Sequence, residues 1–202
     1  MALRVHEVHP SVVHFPLALF PASVACDALG LLRQDDALLS AGRFLMSAAA
    51  MSAAVAGLAG FAAQEGVYAN DDAHDLLVTH RNVNVGLVIL TALLAFQRRR
   101  RKRPSAGYMC VALGGFAAMT YTAYLGGKMV YSKGVGVEPA GGVRFENAPE
   151  VRVDDVAEAV QTSASNFKHA GRHAADHLRE GEIAPVFGAQ FVRRSAHEQR
   201  SA

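Results

Sequence analysis

Tryptophan is absent from this 202-residue chain, cysteine occurs twice, and charge is scarce outside a few short clusters. Cys26 and Cys110 each stand alone within an apolar run. They make no Cys-x-x-Cys or related spacing, so they read as two small buried hydrophobes rather than a disulfide framework or a metal knuckle. The formal net charge of +2 is too small to draw nucleic acid, and the densest group of cations is gathered in one loop. Nucleophile elbow, Walker loop and helical zinc-protease motif are all missing, which removes support for hydrolase and nucleotide-dependent readings. The opening residues MALRVHEVHP carry no cationic n-region, and no small-residue cleavage site follows a short apolar stretch. The first run is therefore expected to insert as an uncleaved anchor.

What is present is apolar sequence in blocks. Hydrophobic residues make up 51% of the chain, which is ordinary for a soluble domain. Their distribution is not ordinary, because they fall in four blocks of about 20 residues, the length that spans a bilayer. A water-soluble helix would carry a polar stripe, and these blocks lack one. The expected class is all-α, an integral membrane four-helix bundle followed by a C-terminal extramembrane amphipathic helix. Residues 1–137 form the four-span domain, 138–153 a linker, and 154–202 a tail.

The first span is expected over 11–32, with His9 as cap, Pro10 at the first helical position, and Pro16 and Pro21 tolerated within a bundle. The second, about 38–63, is rich in Ala, Gly and Ser, and Gly57 and Gly60 mark it as a packing centre. Asp27 precedes the intervening turn by about as much as Arg43 follows it, which puts the two at similar depth. An Asp27–Arg43 ion pair between the first two spans is the expectation. Asn70 or Asp71 can cap the third span, which runs past His74, His80 and Asn84 to Phe96. The fourth covers about 105–131, with close-approach glycines at 114, 115, 126 and 127.

Between the third and fourth spans stand Arg98, Arg99, Arg100, Arg101, Lys102 and Arg103, whereas 64–75 contains no Lys or Arg. By the positive-inside rule the 98–103 loop is cytoplasmic. Counting crossings then puts both termini, and all nine histidines, at or beyond the opposite face. In a bacterium this is the periplasmic side of the inner membrane.

The histidines carry the chemistry. One inside a span is costly in hydrocarbon and is expected to face the bundle interior with a partner. His14 lies about a turn into span one and His80 one to two turns into span three, from the same side, so they share a depth. Two neutral imidazoles facing each other across a bundle are the axial set of a b-type haem. We therefore expect His14 and His80 as ligands of haem iron, with Phe15, Phe61 and Tyr124 lining the macrocycle. His9 and His74, nearer the surface, would be outer groups or ligands of a shallower metal. Past span four, Val156, Val160, Phe167, Ala174 and Leu178 recur at helical spacing and predict an amphipathic helix over 154–180. On it His169, His173 and His177 share a face and form a separate candidate for a divalent metal, with Asp176 or Glu180 completing the set.

The residues HPSVVHFPLAL, the acid in span one, the His80 helix and the exit GGKMVYSKGVGV resemble a bacterial family of four-helix membrane domains, domain of unknown function 2231. The likeness covers about residues 8–137, and its motif positions here are His9, His14, Asp27, His80, Gly127, Tyr131, Gly134 and Gly136. Family members are sometimes joined to cytochrome-like or Rieske-type modules, which implies redox work near a quinone or a periplasmic carrier. No such module is expected within these 202 residues. The leading expectation is a membrane-bound b-type haem protein passing electrons between the quinone pool and a periplasmic partner. The alternative is a non-redox accessory membrane protein whose histidines bind a divalent metal, or none, and hydrogen-bond structurally. Its partners would be the lipid bilayer and a quinone or periplasmic redox protein, a homodimer being compatible with the sequence.

Overall fold

A computed structural model describes residues 3–147, 150–151 and 156–186. Its α-helices are α1 (Val5–Val12), α2 (His14–Arg33), α3 (Asp36–Ala63), α4 (Asp71–Arg99), α5 (Ala106–Lys133) and α6 (Val156–Arg179). The only paired strands among the described residues are two-residue pieces, Leu3–Arg4 against Glu150–Val151.

α1 and α2 form one crossing interrupted at Val13. Pro16 has no N–H to give the carbonyl of Val12, and its ring crowds that carbonyl, so the ladder breaks one turn ahead of it. The helix begins at Val5, earlier than expected, and Pro10 lies inside α1 rather than at the first helical position. Asp35 starts α3 by accepting from the amides of Ala37 and Leu38 at 2.8 and 3.2 Å. Asn70 caps α4 and Ser105 caps α5 in the same way.

Four helical stretches are long and apolar enough to cross a membrane: Val5–Arg33, Asp36–Gly66, Ala73–Arg99 and Ala106–Lys133. α2 packs on α3, α3 on α4 and α4 on α5, and α5 returns to α2, which closes the ring, while α1 leans on α3. The centre is made of Phe20, Met46, Ala49 and Ala112, all fully buried. Large apolar side chains such as Phe44, Met51, Ile89 and Leu93 instead face outward. That exterior suits lipid and would be an aggregation hazard in water.

Asp27 pairs with Arg98, not Arg43. The guanidinium makes Nε and Nη2 contacts of 2.7–3.1 Å with the carboxylate, and both side chains are essentially inaccessible. Nη2 also donates to the carbonyl of Leu39 at 2.7 Å, and Nη1 to those of Arg101 and Lys102. The expectation failed because it counted Arg98 among the loop cations, whereas α4 continues through Arg99 and turns Arg98 inward. Arg43 is half-buried and forms no ion pair among the described residues. Gly42 makes room for this clasp, since any side chain there would run into the Asp27 carboxylate.

At the opposite, histidine-rich end the chain leaves α5 through Gly134, whose φ of 67° is a left-handed helix stop. The carbonyl of Gly142 then accepts from the amides of Tyr68 and Gly136. A Cβ on Gly142 would collide with the Gly134 backbone, so this knot admits only glycine there.

α6 docks on α3 and on the turn after it, as a helix over the span predicted for the tail. The docked face is not the bulky apolar stripe. Val160 and Leu178 remain more than half exposed and Phe167 is partly open, while Ala159, Asn166 and Ala170 are buried, the first two one position before Val160 and Phe167. One residue is a rotation of about 100°. The small stripe allows close approach, and Asn166 Nδ2 donates to the carbonyls of Ala62 and Asn147 at 3.3 and 2.9 Å. Asn166→Ala should leave those carbonyls without their donor, weaken docking by about 1–3 kcal/mol and speed tryptic cleavage within α6. An unchanged cleavage rate would count against this anchoring.

Candidate functional site at the histidine-rich end

Two imidazoles enter this end of the bundle from different helices and are held alike. His9 on α1 has Nδ1 at 2.9 Å from the carbonyl of Ala56 on α3. His80 on α4 has Nδ1 at 2.9 Å from the carbonyl of Thr122 on α5, and 3.0 Å from the Thr122 hydroxyl. A carbonyl only accepts, so in each neutral ring Nδ1–H donates and Nε2 keeps the lone pair. Asn84 holds the pair of helices in register by donating to the His80 carbonyl at 2.8 Å and to the Thr122 hydroxyl at 2.6 Å.

Glycine makes each imidazole's seat. A Cβ on Gly60 would lie 3.0 Å from His9 Nδ1, and one on Gly126 would lie 3.2 Å from His80 Cε1.

His14 is placed differently. It is exposed on the first turn of α2, on the outer surface of the bundle. Five residues separate it from His9, about 140° of helical rotation. With His9 turned toward α3, His14 cannot also face inward. The aromatic lining is not assembled either. Phe15 and Tyr124 are 60% and 62% exposed, and Phe61 packs on Phe167 with ring centroids 5.8 Å apart.

A second group lies where α6 meets the mouth of the bundle. The His74 ring, from the first turns of α4, is 5.1 Å from that of His177. His177 Nδ1 is 2.5 Å from Glu182 Oε2. The three tail histidines do not converge: His173 faces Glu65 at 3.2 Å, and His169 is exposed. Asp176 binds Arg179, and the acid that reaches the cluster is Glu182. Glu182 lies just past Gly181, beyond the 154–180 helix on which Asp176 or Glu180 was expected to complete the set. That glycine, at φ 81°, was the available signal. A left-handed glycine after a helix turns the chain back on the last turn, and Glu182 N bonds the carbonyl of His177 at 2.8 Å. Beside this cluster lies a cavity of about 170 Å³ lined by Glu65, His74, Arg81, Arg144, His173 and His177 among others.

Fold and composition together define an integral membrane protein built on a four-helix bundle. The family model described as predicted membrane protein (DUF2231) matches residues 5–139, so the chain belongs to that family. No curated protein and no solved structure shows significant similarity to it.

Proposed function

We propose that this protein is a membrane-bound b-type haem protein that passes electrons between the quinone pool and a periplasmic partner, and that His9 and His80 would hold the haem iron. The observation that carries this reading is the matched setting of the two imidazoles. Each comes from a different crossing, and each has Nδ1 tied to a main-chain carbonyl on a neighbouring helix. A carbonyl that accepts from Nδ1–H fixes the tautomer and ring orientation and raises the basicity of Nε2, the usual support of a metal-ligating histidine. Two neutral imidazoles with Nε2 left free are ligands that haem iron accepts. Such a group, held by two imidazoles, exchanges single electrons at a potential set by burial and ligand type.

The chain's own residues orient the rings and limit their freedom. Ala56 and Thr122 hold Nδ1, Asn84 steadies the α4–α5 contact, and Gly60 and Gly126 leave room for the rings. The cations at 99–103 support a cytoplasmic assignment for their end, with both termini and the histidine pair periplasmic, in a bacterial inner membrane. That side would meet a periplasmic redox protein, and the surrounding bilayer would supply quinone.

The test is a visible spectrum of the full chain purified in detergent, before and after dithionite. The expected result is a Soret band with reduced α and β bands, lost in His9→Ala and in His80→Ala but retained in His14→Ala. A colourless wild-type preparation after haem-replete expression would overturn the proposal. It would leave an accessory membrane protein with hydrogen-bonded structural histidines. A band lost in His14→Ala and kept in His9→Ala would restore the pairing expected from sequence.

A further inference from the structure

We propose that His74, His177 and Glu182 bind a divalent transition metal ion of the zinc class, and that this ion fastens the tail helix to the mouth of the bundle. The site is separate from the His9–His80 pair and does not depend on it. One ligand atom from each of the three residues lies within 4.8 Å of the other two. Zinc–ligand bonds of about 2.0–2.2 Å put neighbouring ligand atoms roughly 3.3–3.5 Å apart in a tetrahedral site. Relative to that spacing the 2.5 Å between His177 Nδ1 and Glu182 Oε2 must open and any pair near 4.8 Å must close, each by about an ångström of side-chain rotation. Two imidazoles and one carboxylate are also a donor set that zinc accepts, with a fourth position left for water or another oxygen ligand.

Three further observations point to a prepared site. The loop that carries Glu182 is already pinned to α4, because Asn82 Nδ2 donates to the carbonyls of Glu182 and Ile183 at 3.2 and 2.9 Å. The amide of Val186 donates to the hydroxyl of Thr79 at 3.3 Å, which holds the same loop a little further on. Arg81 lines the adjoining cavity, is only 8% exposed, and has an Nη2 group with no hydrogen-bond partner among the described residues. An unpaired buried guanidinium nitrogen is costly, and a water or oxyanion in the fourth position of the ion would supply the acceptor it needs. Glu65 in the cavity wall and Glu182 beside His177 set negative charge against that of Arg81 and Arg144. The ligands come from the start of α4 and from the end of the described tail. An ion between them closes a long loop of chain.

The experiment titrates zinc chloride into the tag-free full chain in detergent by calorimetry and follows trypsin cleavage of α6 with and without the metal. The expected result is about one zinc ion per chain, reversed by EDTA, with α6 cut several-fold more slowly when zinc is bound. His74→Ala and Glu182→Gln should each weaken binding tenfold or more, while His169→Ala should leave it unchanged. His74 is exposed and its removal does not threaten the fold. Wild-type protein that takes up no stoichiometric zinc would overturn the proposal. So would a triple His74→Ala, His177→Ala, Glu182→Gln variant that binds as wild type does. Neither readout involves visible absorption, so failure here and failure of the haem reading are distinguishable.

Discussion

Asp27→Asn should cost the bundle about 3–5 kcal/mol of stability, while Arg43→Ala should change it by less than about 1 kcal/mol. The difference comes from burial. The Asp27 and Arg98 side chains are 0% and 1% exposed, and the guanidinium is closed in further by the carbonyls of Leu39, Arg101 and Lys102. Removing the carboxylate leaves a buried cation with only neutral acceptors, and the cost is the desolvation that the pair had offset. Arg98→Met alone should be similarly harmful, since it strands the acid. The double variant Asp27→Leu, Arg98→Met should recover much of the loss, because apolar replacement of a whole buried pair is often neutral. Thermal unfolding in detergent followed by circular dichroism measures all four, and the method does not depend on tryptophan, which the chain lacks. Equal losses for Asp27→Asn and Arg43→Ala would remove the clasp from the account of stability.

Gly126→Val should abolish whatever His80 binds, while Gly114→Val should leave it intact. A single Cβ at 126 already meets His80 Cε1 at 3.2 Å, and the two methyls of valine add bulk beyond it. The imidazole would be driven off the Thr122 carbonyl, at a packing cost of about 1–3 kcal/mol. A Cβ at 114 meets nothing within 4 Å. The expected readout is loss of the Soret band in Gly126→Val with helical content retained, against a wild-type spectrum in Gly114→Val. Retention of the full band in Gly126→Val would show that the cofactor does not depend on His80 staying where Gly126 lets it sit.

The four crossings were legible because length and composition alone identify a bilayer span, and no tertiary contact alters that reading. The helix start at Asn70 was legible for a similar reason, since a cap is a local hydrogen bond. What failed was facing. His9 and His14 differ by about 140° of rotation, so their roles depend on where the helix begins and which neighbour it leans on. The start at Val5, the break at Val13 and the lean of α1 on α3 are tertiary facts. The Asp27 partner failed for a related reason. Depth matching favoured the neighbouring helix, and the last turn of α4 was hidden in a run of like residues whose usual place is a solvated loop. In the tail, the apolar periodicity correctly indicated a helix, but the side chosen for docking was the one that allowed close backbone approach.

The Asp27–Arg98 clasp also has a consequence for synthesis. The base is made 71 residues after its acid. At translation rates of about 5–20 residues per second, that is a delay of roughly 4–14 s. During that interval the first helical hairpin holds a carboxyl whose eventual counter-charge has not left the ribosome. The third crossing is therefore the event that locks the first two, and the order of residues along the chain becomes an order of assembly.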